Sequence, residues 1–206
     1  MPFGVVYCEQ GLINHFLEPL NSISNLFFVV SAVLLFLYFQ KKKVVDLKSK
    51  LFVGLILLIG IGSLIWHIIP TTATFFMDVI PIALFLILYL FFLLDKIVKR
   101  KMIAMSVMGV YLLVVILGFI IFPTFFSSYG GIYILTLLFL GGTAIAAFLK
   151  KILFKETSII FLLFLLAFIV RQLDLVVCPF FPLGTHFVWH TINAFIAYYG
   201  VKVLYD

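Results

Sequence analysis

Three polar side chains interrupt an otherwise oily stretch, GSLIWHIIPTTATFFMD at 62–78: Ser63, His67 and Asp78. Ser63 and His67 are four residues apart, so on a helix they share one face about one turn apart. Asp78 opens the next apolar run. Towards the other end of the chain, THFVWHTIN at 185–193 carries His186 and His190, again spaced i, i+4. Two imidazoles at that spacing on one helical face can bind a single metal ion. Together with His67 they supply three neutral nitrogen ligands and leave a fourth position for water. That is the pattern of a catalytic rather than a structural zinc site. A carboxylate such as Asp78 is suited to exchange protons with that water. Each histidine taken alone could equally serve as a hydrogen-bonding group between helices. Ser63, within GIGS at 60–63, also fits a close contact between membrane helices. His15 stands apart and reads as structural.

The elements that position these groups follow from composition. Of 206 residues, 66% are hydrophobic and 11% charged, with a mean hydropathy of +1.33. A soluble domain would carry roughly a quarter charged residues, so the chain is expected in a bilayer. Its first twenty residues lack a basic region leading into an apolar core, which argues against a cleaved signal peptide. Apolar runs near 21–40, 51–69, 74–94, 102–122, 130–149, 157–175 and 185–204 follow one another. Each is about as long as a bilayer requires, roughly 20 residues. Backbone groups in lipid must be satisfied within the segment, which makes them helices. The expected fold is an all-α, seven-transmembrane-helix bundle, one domain over 1–206 with 1–20 as an extracytoplasmic N-terminal segment.

Charge sets the orientation. KKKVVDLKSK at 41–50, DKIVKRK at 95–101, KKILFKE at 150–156 and Lys202 hold thirteen of the 14 lysines and arginines. The intervening connections, 70–73, 123–129 and 176–184, hold none. Basic loops stay in the cytoplasm, so the N-terminus is expected outside and the C-terminus cytoplasmic. This distribution also argues that the formal charge of +6 reflects anchoring rather than nucleic-acid binding. In that topology Ser63, His67, Asp78, His186 and His190 fall into one layer near the outer face. Glu9, Glu18, Arg171 and Asp174 belong to the same half. An ionisable group within a span is by default a functional-site hypothesis.

The remaining polar residues read more plainly. Arg171 and Asp174, at i, i+3, read as a structural ion pair, and Asn21, Ser24 and Asn25 as groups that knit helices together. Cys8 and Cys178, both expected outside, are too few for a cysteine scaffold. They either form a disulfide tying the N-terminal segment over the helices or remain two buried thiols.

Several of these motifs, in order, resemble one family. EPLNSISN (18–25), GIGSLIWH (60–67), the aspartate of FFMDVIP (75–81), RQLDLVVC (171–178) and GTHFVWHTINA (184–194) look like the alkaline ceramidases. Those enzymes belong to a seven-span metal-hydrolase superfamily that includes the adiponectin and progestin receptors. The resemblance covers the N-terminal segment and spans one, two, three, six and seven; spans four and five are generic. It implies that His67, His186 and His190 bind zinc, that Ser63 lies near the metal, and that Asp78 holds the metal's water. It further implies a Cys8–Cys178 disulfide. Some members bind Ca²⁺ through acidic residues of the N-terminal segment; here Glu9 and Glu18 match, while Val6 and Gly11 stand where an aspartate and an asparagine are expected. The compact chain, rich in Lys, Ile and Phe, reads as bacterial, placing it in the cytoplasmic (inner) membrane.

The expected function is therefore a zinc-dependent intramembrane amidase. It would hydrolyse a ceramide-type lipid to sphingoid base and fatty acid by a zinc-activated water, with the lipid and the bilayer as its partners. Two other readings stay open: a hydrolase of another lipid amide or ester, and a non-enzymatic lipid-sensing seven-span receptor with a structural metal.

Overall fold

A computed structural model describes residues 7–11, 18–127 and 130–206 of the chain. His15 and Val6 lie outside the described residues. The described chain is helical. A 3-10 turn at Cys8–Gly11 precedes α1 (Pro19–Ser24), α2 (Leu26–Lys42), α3 (Leu47–Ile68), α4 (Thr72–Val98), α5 (Lys101–Ile121), α6 (Pro123–Ser127), α7 (Gly131–Lys150), α8 (Phe154–Val177) and α9 (His186–Tyr205). Among the described residues, six segments are long and apolar enough to cross a membrane: Pro19–Lys42, α3, α4, α5, α7 and α8. The protein is thus a multi-pass membrane protein. The seventh expected span corresponds to α9, which has 20 residues but falls outside those six. Its first turns carry His186, His190, Thr191 and Asn193, polar residues that dilute its apolar character.

The chain divides into two compact units, residues 1–85 with 166–206, and residues 86–165. In the first, α2 packs along both α3 and α9, and α1 bridges those same two helices. Leu35, Phe52, Ile56, Trp66 and Val201 are almost fully buried there. Small residues set the distances: a Cβ on Gly60 would meet the Phe28 Cβ at 3.0 Å and the Asn25 carbonyl oxygen at 3.1 Å. In the second unit, α6 packs against α5 and α7, with Phe126 filling the space left by Gly118. The Tyr111 hydroxyl meets Thr136 Oγ1 at 2.9 Å.

Helix ends agree with the charge pattern. Asp46 starts α3, its carboxylate accepting from the Ser49 N–H at 2.7 Å, as an N-cap residue does. α2 and α7 stop at Lys43 and Lys151, both left-handed with φ of 54° and 55°. Glycine is the usual residue there. Lysine accepts the strained backbone and brings a positive charge to the negative end of the helix dipole.

The N-terminal segment is stapled to the helices. Cys8 and Cys178 form a disulfide, their Cα atoms 5.5 Å apart. Beside it, Asp174 spends its carboxylate on backbone amides. Oδ2 accepts from Cys8 N at 2.9 Å, and Oδ1 from Thr185 N at 2.8 Å and His186 N at 2.9 Å. Asp174 therefore caps the first turn of α9. The amides at a helix start have no partner within the helix and draw a nearby carboxylate. Gly184, at φ 65°, completes the turn, because a Cβ there would run into Asp174 and Cys8. Asp174→Ala would strand three amides. The expected loss is on the order of 3 kcal/mol, visible as a lower unfolding temperature in detergent.

A candidate metal centre

His67 lies on the last turn of α3, and His186 and His190 on the first two turns of α9. All three are buried, between 1% and 4% exposed. One ligand nitrogen from each lies within 4.8 Å of the others. Among the described residues this is the cluster able to hold a metal ion. The i, i+4 spacing and the α3–α9 packing bring together what 119 residues of chain separate, as the sequence pattern anticipates.

The outer ring nitrogens show which atoms are available. His67 Nδ1 meets Glu18 Oε2 at 2.6 Å, while its Nε2 has no partner. His190 Nδ1 faces two oxygens, Ser24 Oγ at 2.8 Å and the Asn21 carbonyl at 3.1 Å. The Ser24 hydroxyl itself donates to Asn21 O at 2.9 Å, which leaves it an acceptor towards His190. That network assigns the proton of His190 to Nδ1 and frees Nε2 as a lone pair. His186 keeps an unpartnered Nδ1. Buried polar atoms without partners are rare in native structures and call for an explanation. A shared cation would satisfy His67 and His186 at once. The donor set, three imidazoles of which His67 and His190 are tied from behind, fits a metal that favours nitrogen ligands.

A buried carboxylate, Asp78, lies on the neighbouring helix α4. The Ser63 hydroxyl donates a hydrogen bond to the Asp78 carboxylate, whose Oδ1 remains buried and unpartnered. Ser63 is one turn before His67 on α3, so this bond ties Asp78 to the helix that carries His67. Close approach of the backbones makes it possible. A Cβ on Gly62 would collide with the Met77 carbonyl of α4. Pro81 lacks the N–H that would otherwise bind that carbonyl four residues earlier. Gly62 thus packs closely against α4, as the spacing suggests, while Ser63 bonds Asp78. Gly62→Ala is expected to cost about 1–3 kcal/mol by overpacking and to lower turnover by parting Ser63 from Asp78. Thermal unfolding alongside activity checks it.

No protein-family model matches the chain, and no curated protein matches it.

Two further residues frame the site. The Tyr7 ring lies 4.1 Å from His186 and 5.0 Å from His67, centroid to centroid, and covers the cluster from the stapled turn. Burial raises its phenol well above the ordinary value, with the Arg171 cation opposing that and the Asp78 and Glu18 carboxylates adding to it. Arg171 lies 5.9 Å from the Trp189 ring, and its charge also reaches Asp78, His186 and His190. Nothing in the spacing of Tyr7 marks it beforehand. Asn21 and Ser24, expected only to join helices, turn out to hold His190.

The acidic residues considered for Ca²⁺ are engaged with this unit. Glu9 Oε1 and Oε2 accept from the amides of Leu20 at 2.6 Å and Asn21 at 2.8 Å. Burial raises the Glu9 carboxyl, those two amides opposing it. Glu18 is pushed up to about 7 by burial, against hydrogen bonds from Asn21 and Gln10.

Proposed function

We propose that the chain is a zinc-dependent intramembrane hydrolase that cleaves a lipid amide of the ceramide type. The observation that carries this reading is the buried three-histidine cluster with a hydrogen-bonded Ser63–Asp78 pair beside it. The motif resemblance to alkaline ceramidases supports the substrate class. The reading includes α9 as a seventh span, the N-terminus outside and the site near the outer face of a bacterial inner membrane.

His67, His186 and His190 would hold the ion, and Tyr7 would shield it from bulk water. When bound, such an ion acidifies water and polarises a carbonyl as a Lewis acid. Asp78 takes the proton released as the amide carbonyl is attacked, at its free Oδ1, and returns it to the departing amine nitrogen. Ser63 orients the carboxylate through the other oxygen. Arg171 adds positive charge on the side where the carbonyl oxygen becomes negative, an electrostatic term worth a few kcal/mol at such sites. An apolar groove of about 310 Å³ between α3 and α4, lined by Leu58, Ile61, Phe76, Met77 and Ile80, borders Gly62. It offers an acyl chain a place directly from the bilayer.

The test is incubation of the purified protein with a lipid panel, with and without chelator, followed by zinc addition and mass spectrometry of the products. Fatty acid and sphingoid base from ceramide, lost with chelator and regained with zinc, is the expected result. Cleavage of other amides or esters in preference to ceramide would move the substrate class. Zinc binding with no turnover of any lipid would favour the receptor reading.

A further inference from the structure

We propose that Glu18 is a positioning residue for the metal centre: its carboxylate holds the Nδ1–H of His67 so that Nε2 is presented to the ion. The inference rests on reading the three histidines as a metal site, and it assigns the EPLNSIS segment a role in that site rather than in helix packing.

Glu18 has the position of a helix cap without doing the work of one. It precedes Pro19 at the start of α1, yet its side chain makes no capping hydrogen bond. Glu9 does that work instead, reaching from the stapled turn to the amides of Leu20 and Asn21. The Glu18 carboxylate is thereby released to point at His67, on a helix 49 residues away in sequence, at 2.6 Å. Asn21 Nδ2 pins the same oxygen at 2.8 Å. The Gln10 side chain contributes a further hydrogen bond. The carboxyl is only 2% exposed.

Burying a carboxyl this fully is costly unless its partners compensate. A neutral imidazole, an amide and a glutamine do so weakly. A cation on the far nitrogen of that imidazole changes the sum, because charge drawn from the ring strengthens the Nδ1–H bond to the carboxylate. Carboxylate–histidine–metal arrays of this kind fix the tautomer and the ring orientation. The unpartnered His67 Nε2 lies where such an array leaves its ligand atom. His190 has the corresponding tie through Ser24 and the Asn21 carbonyl. Six residues of α1 and its cap therefore orient two of the three ligands from behind. The same geometry commits the carboxylates of Glu9 and Glu18 to amides and a histidine, the groups that a calcium site would otherwise draw on.

The experiment measures zinc affinity by competition with a chromophoric chelator in full-length protein and in Glu18→Ala and Glu18→Gln. Apo-protein unfolding temperature is read in parallel. Loss of an outer-shell partner typically lowers metal affinity roughly 10–100-fold. Glu18→Ala is expected in that range, with Glu18→Gln, which keeps the shape, falling between it and the parent. Affinity within about twofold of the parent in Glu18→Ala would overturn the proposal, whether or not the apo protein loses stability. So would a parent zinc affinity that depends on added calcium and loses that dependence in Glu18→Ala, since Glu18 would then act through calcium. A parent protein that binds no zinc at all would instead remove the metal-site reading itself, so the two failures are distinguishable.

Discussion

His67→Ala is expected to remove bound metal and lipid hydrolysis together. One of its ring nitrogens belongs to the three-histidine cluster, within 4.8 Å of the others, and α3 carries no other His, Cys, Asp or Glu. Loss of an outer-shell partner already costs roughly 10–100-fold in metal affinity; loss of a direct ligand should exceed that. Plasma mass spectrometry of purified protein should fall from about one zinc per chain to a small fraction. The change also leaves Glu18 buried without its imidazole, so the unfolding temperature is needed to separate metal loss from fold loss. His186→Ala is the second arm, because His186 Nδ1 has no protein partner to strand. Hydrolysis that survives either change would remove the metal from the mechanism.

Asp78→Asn is expected to separate binding from chemistry. The amide keeps the shape and can still accept from Ser63, so metal content should stay near that of the parent. It cannot take up a proton, so turnover should fall about 10²–10⁴-fold, the usual worth of a positioned acid–base group. Stability should hold or rise, since an unpartnered buried carboxylate oxygen is a burden to the fold. Residues kept at such cost are characteristic of function. Metal analysis, unfolding temperature and initial rates on the same preparation check all three points. A turnover within tenfold of the parent would show that the proton travels elsewhere.

Much of this arrangement is legible in the sequence because the bilayer simplifies the problem. Spans must be helical and near 20 residues, so the predicted runs and the observed helices differ at their ends by only a few residues. The exceptions have local causes. The first run breaks at Asn25 into α1 and α2, and this short α1 is what brings Glu18, Asn21 and Ser24 to the histidines. α9 is dilute in apolar residues because its first turns carry two histidines, a threonine and an asparagine. Rare polar groups in oily sequence stand out, which made His67, Asp78, His186 and His190 readable. Hydrogen-bond partners did not stand out. Asp174 looked like a mate for Arg171 at i, i+3, and nothing in that spacing showed that the open amides at the start of α9 would also draw its carboxylate. Tyr7 carried no spacing signal, since a staple 170 residues long in sequence places it. Glu18 was visible as an acid, but its partner could be named only once α1 was seen against α3.

The central claim is that His67, His186 and His190 together hold one zinc ion. Zinc-edge X-ray absorption on the purified protein tests it most directly. The account predicts a shell of about four nitrogen or oxygen neighbours at roughly 2.0–2.1 Å, with the outer-shell features of three imidazoles. A shell of oxygen alone, or one containing sulfur at about 2.3 Å, would contradict it.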